Sequence, residues 1–143
     1  MCKIVGNKKL IKLLNNTLVF FLIKAIFKLG KYKKGNNMSI LAKYNKVFQE
    51  KDEAGMNEIL HDDYKFTMHS SGKVLSKSDV IAWAMSDDIN REKVRVIYEN
   101  DEIGVEHSFV TFKDGNVQAV MAVLKYKDGK VIEFETGATN MPK

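Results

Sequence analysis

Cysteine and proline are almost missing from this chain. Cys2 stands alone, so no disulfide framework exists, which suits a reducing compartment such as the cytoplasm. Pro142 is the sole proline and lies at the tail, so no proline breaks an element upstream. Acidic residues are missing from the first 37 positions, which carry nine lysines and no Asp or Glu. Also missing is an uninterrupted apolar run of the roughly 18–20 residues that span a bilayer. Leu18–Ile23 and Ala25–Phe27 are split by Lys24, and no small-residue cleavage pattern follows, so a secretory signal is not indicated either. There is no phosphate-cradling glycine loop, nucleophile elbow or zinc-ligand spacing, so neither cofactor nor metal is expected.

The net charge of +5 resides in the leader, and residues 38–143 hold 14 basic and 18 acidic side chains. A basic arm on a mildly acidic domain does not point to nucleic-acid binding by the domain. Residues 1–37 carry a helical apolar stripe (Leu10, Leu14, Leu18, Phe21, Ala25, Leu29) whose lysines suit an anionic membrane surface. The competing reading is that Met38-Ser39 is the true start of the working protein. The domain itself is expected to occupy 38–143.

The organising stretch is Ile103 to Thr139. It reads as a three-stranded meander turned at Lys113–Asn116 and at Asp128-Gly129, the latter a strong hairpin signal. Upstream, Ser39 caps a helix to about Gln49 with Ile40, Leu41, Tyr44, Val47 and Phe48 on one face. Asp52 caps a short second helix ended by His61-Asp62-Asp63. Tyr64 to Met68 reads as a strand and Ser70-Ser71-Gly72 as a loop. Ser76 with Asp79 forms a capping box for a third helix, stopped by Ser86-Asp87-Asp88 and Asn90, and Lys93 to Glu99 alternates as a strand. Helices first and strands after define an α+β fold, with three helices covering one face of a curved antiparallel sheet.

Within the meander, Val105, His107, Phe109 and Thr111 share one side and are read as inward, opposite Glu106, Ser108, Val110 and Phe112. The middle strand is apolar on both sides, so the outer face also needs cover, which implies a homodimer through that face. Glu133 and Glu135 fall outward.

The element order, the Asp-Asp pair before the first strand and the closing Asp128-Gly129-Lys130-Val131-Ile132-x-Phe134 strand resemble the nuclear transport factor 2-like superfamily, and within it the small SnoaL-like branch. The resemblance covers about residues 39–140. It implies a cone with a pocket at its wide end, in a superfamily that holds isomerases, cyclases, dehydratases and binding or dimerisation modules. Laid on the steroid isomerases, Tyr44 falls on the oxyanion-binding tyrosine. Met68 and Ala122 replace the two aspartates, and neither a thioether nor a methyl can do their work. Ketosteroid isomerase chemistry is therefore not expected. The same register puts His107, Phe109, Leu124 and Phe134 on pocket-lining positions.

The candidate site is thus His107 as base and Tyr44 as donor. Its expected walls are Phe66, Met68, Trp83, Tyr98, Phe109, Leu124 and Phe134, enclosing a small, largely apolar ligand. Cofactor-free proton transfer or hydration is the expected chemistry of an enzyme built this way. A core histidine, a non-catalytic dimerisation module and a membrane-surface protein acting through residues 1–37 are the alternatives.

Overall fold

A computed structural model describes residues 38–142. The readings of the leader, as membrane-surface arm or as non-native extension, fall outside the described residues. No helix among those described is long and apolar enough to cross a membrane.

The described chain runs α1 (Ile40–Gln49), α2 (Glu53–Ile59), β1 (Leu60–Met68), β2 (Lys73–Ser76), α3 (Lys77–Met85), β3 (Ile89–Glu99), β4 (Ile103–Phe112), β5 (Val117–Lys127) and β6 (Lys130–Asn140). Each helix starts on the cap its sequence announces, because a side-chain oxygen there satisfies an orphan backbone N–H. Ser39 accepts from Ala42 N, Asp52 accepts from Gly55 N, and Ser76 with Asp79 forms the reciprocal capping box. A distant carboxylate secures the start of α1 as well: Glu99 Oε1 accepts from Leu41 N at 2.8 Å and from Tyr126 Oη at 3.1 Å.

The strands form one unclosed six-stranded sheet in the order β2-β1-β6-β5-β4-β3. All neighbours are antiparallel except β1 and β6, which run parallel. The Asp128-Gly129 turn adopts positive φ at both residues, 52° and 74°, as a primed hairpin requires. Register shifts in β3 and between Lys125 and Tyr126 mark where extra residues bend the sheet. The α+β class and the helix-covered curved sheet are those expected from the sequence.

Three boundaries differ from the sequence reading. β1 begins at Leu60, so His61-Asp62-Asp63 lie within an irregular part of the strand, where pairing with β6 shifts register. β2 was not anticipated, because Lys73–Ser76 is short and mostly exposed. β3 starts at Ile89, four residues before the expected Lys93: Ser86-Asp87-Asp88 do end the helix, with Ser86 as its cap, but Asn90 already belongs to the sheet.

The core lies between the helices and the concave face, with Leu41, Met56, Leu60, Leu124 and Val131 fully buried. Side chains of this size each contribute roughly 1.5–3 kcal/mol on burial, which holds α1 and α2 on the sheet without any crosslink.

Candidate functional site

A cavity of about 100 Å³ remains between the helices and the concave face. Its apolar wall comes from β1 (Phe66, Met68), α3 (Val80, Trp83), β5 (Ala122) and β6 (Phe134). The rings brace one another: Phe66 meets Phe134 edge-on at 4.9 Å, Tyr44 stacks on Phe134 at 5.5 Å, and Phe66 stacks on Trp83 at 6.1 Å. Tyr44, Arg91, Glu106, Ser108 and Thr136 supply the polar part of the lining. The cavity reaches the surface where Ser70 is exposed.

Glu106 is only 1% exposed, and a buried carboxylate must be compensated. Arg91 Nη2 on the adjacent strand donates to its Oε1, and Asn45 Nδ2 on α1 donates to its Oε2 at 2.7 Å. The pair is asymmetric, since the Arg91 side chain keeps 22% of its surface open. Burial pushes the Tyr44 phenol far above its ordinary range, with nearby Arg91 opposing this and Glu106 adding to it. Tyr64 is raised for the same first reason, burial, and then by the neighbouring Tyr44. Both phenols are therefore neutral and keep their protons for hydrogen bonding. Two atoms of this cluster, Asn45 Oδ1 and Tyr64 Oη, are buried without a hydrogen-bond partner among the described residues.

The structure brings together Tyr44, Phe66, Met68, Trp83 and Phe134 around the cavity, along with Ala122. It does not bring His107 there. On β4 the buried side is Gly104, Glu106, Ser108 and Val110, whereas Val105, His107, Phe109 and Thr111 lie on the convex face. The inward assignment of His107 and Phe109 is thus corrected. Period-two alternation separates two faces without saying which is inside, and the face bearing a glutamate looked like the solvent side. His107 is half-buried, edge-on to Phe109 at 5.2 Å, with Nδ1 buried and without a hydrogen-bond partner among the described residues. Its expected role as base has no geometric support. Tyr98 is 54% exposed and pairs with Val105 on the convex face, so it too is no cavity wall. Leu124 faces inward but is fully buried in the core rather than lining the cavity.

The other polar candidates lie at the surface. His69 meets Glu135 at 3.3 Å, and Lys125 bridges Glu133 and Glu135, so both glutamates are outward as expected. Asp62 pairs with Lys77. No group of His, Cys, Asp or Glu among the described residues is placed to hold a metal ion. The residues that sequence reasoning missed are Asn45, Arg91, Glu106 and Ser108. The available signal was that Glu106 and Ser108 share parity with Val110 and Phe112.

Three helices on the concave side of a curved, unclosed sheet, with a cavity between them, make the fold of nuclear transport factor 2-like proteins. No family model matches the sequence, and neither does any curated protein. Solved structures do match. A nuclear transport factor 2-like protein of unknown function from Burkholderia xenovorans LB400 is 13% identical, with a TM-score of 0.56 over 73% of this chain and 83% of that one. Another from Cytophaga hutchinsonii is 6% identical, with a TM-score of 0.59 over 70% and 87%. An epoxide hydrolase from M. tuberculosis is 10% identical, with a TM-score of 0.55 over 70% and 80%. At these identities the likeness is one of fold.

Proposed function

We propose that this domain binds a small, largely apolar molecule in the concave cavity, with Tyr44, Arg91 and Glu106 as polar anchors. The observation that carries the reading is a buried ion pair at the wall of an otherwise apolar, aromatic-lined cavity. Such a mixture of apolar wall and few converging polar groups is the usual make-up of a ligand site. Both carboxylate oxygens of Glu106 already accept a hydrogen bond, which weakens it as a proton acceptor. Tyr44, held neutral, is a donor suited to a carbonyl or ether oxygen. Binding is therefore the primary activity, and any proton transfer would be cofactor-free, with Tyr44 donating.

Native mass spectrometry of the full chain purified from cells tests this. The expected result is a bound small molecule that is lost when Ala122→Leu fills the cavity. A chain that is empty as isolated, and whose mass and stability no small apolar compound alters, would overturn it.

A second reading, a homodimeric interaction module, is favoured by the convex face. Tyr98 and Met121 are exposed there beside the half-buried Val105, Phe109 and Val123. An apolar patch of this kind on a sheet is the usual mark of an association surface.

A further inference from the structure

A second concavity of about 350 Å³ lies outside the first, between the end of α1, the end of α3 and the start of β3. The two share four lining residues, Phe48, Ala84, Ile89 and Arg91, all half-buried, so the partition between them is thin and not a sealed core layer. Their chemistries differ. The outer groove is lined by Lys51, Arg91 and Lys93 and by the carboxamides of Asn45, Gln49 and Asn90, and no carboxylate lines it among the described residues.

The cations are not equally committed. Lys51 donates to Asp87 at 2.5 Å and to Ser86 O at 3.0 Å. Arg91 gives Nη2 to Glu106, and its other N–H groups are unmatched among the described residues. Lys93 sits at the β3 bulge with φ 51° on the edge strand; it lines the groove, but its ammonium rests 5.5 Å over the ring of Phe109 on the convex face, an exposed cation–π contact it must leave to reach the groove. Glu92, the nearest acid in sequence, accepts from Asn90.

From this juxtaposition we propose that the groove is an anion subsite, and that the ligand class of the domain is a small amphipathic carboxylate. Its apolar body occupies the cavity and its carboxylate lies against Arg91, with the Lys93 ammonium swung round the edge strand from Phe109 to meet it. The proposal rests on the ligand-pocket reading above and names its substrate class. Arg91 is the shared element, a planar fork able to face a second carboxylate while it holds Glu106.

The test is calorimetric titration of the full chain with hexanoate and, separately, with hexanol. Hexanoate is expected to bind at least about threefold tighter than hexanol at low salt, with the gap shrinking as ionic strength rises. Lys93→Gln, at an exposed position that leaves the fold intact, is expected to narrow that gap and leave hexanol binding unchanged. Hexanol binding as tightly as hexanoate, or a gap untouched by Lys93→Gln, would overturn the anion subsite while leaving the cavity reading standing. Failure of both compounds to bind would overturn both.

Discussion

Arg91 on β3 and Glu106 on β4 face each other from adjacent strands on the concave side of the sheet, the guanidinium partly open and the carboxylate sealed. Removing the acid leaves a charge in a half-dry site, so Glu106→Leu is expected to cost about 2–3 kcal/mol. That is somewhat below a fully buried pair, because water still reaches Arg91. Glu106→Gln keeps the shape and an acceptor and is expected to cost about 1 kcal/mol. Urea unfolding measures both, and an unchanged midpoint for Glu106→Leu would show that the pair contributes nothing net.

His107 is expected to be dispensable for ligand binding, because it lies on the convex face. His107→Phe removes a buried nitrogen that has no partner among the described residues, so stability is expected to stay level or rise by up to about 1 kcal/mol. Loss of ligand binding in this variant would return the imidazole to the site.

Gly104 is small because of a neighbour. A Cβ there would meet Tyr126 Oη at 2.1 Å, the same hydroxyl that bonds Glu99. Gly104→Ala is expected to destabilise by about 1–3 kcal/mol through overpacking. Adding Tyr126→Phe is expected to recover part of that loss, although alone it removes a hydrogen bond. Strict additivity in the double-mutant cycle would contradict this clash.

The capping box gives a pH prediction. Hydrogen bonds from the Ser76 side chain and backbone N–H lower the Asp79 pKa below 3.8 in the folded state. A depressed folded pKa means the contribution is complete above 3.8 and is lost as pH falls through the lowered value. The stability difference between the wild type and Asp79→Asn should therefore shrink below pH 3.8. A difference that is constant down to the acid transition would rule this out.

If two copies pair through the convex face, Met121→Glu at its 44% exposed centre should shift sedimentation from dimer to monomer. A monomeric wild type at all concentrations would remove the pairing.

The architecture was legible in the sequence because its signals are local. Asp128-Gly129 needs positive φ, Ser76 with Asp79 closes a capping box, and Tyr44 falls on the apolar face of α1. The aromatic wall was legible too, since Phe66, Trp83 and Phe134 have no other use for their area. The polar half was not. Whether Glu106 or His107 faces inward depends on Arg91, which approaches from a strand whose first residues look like a helix stop. Alternation carries no sign, and the sign here is set by an ion pair formed across strands.

The central claim is that the concave cavity holds a guest. The most direct measurement is methyl NMR of the full chain labelled at methionine, titrated with hexanol. The account predicts a saturable shift of Met68 in the cavity wall, no shift of Met121 on the convex face, and loss of the effect in Ala122→Leu. A Met68 resonance that stays in place while Met121 moves would contradict it.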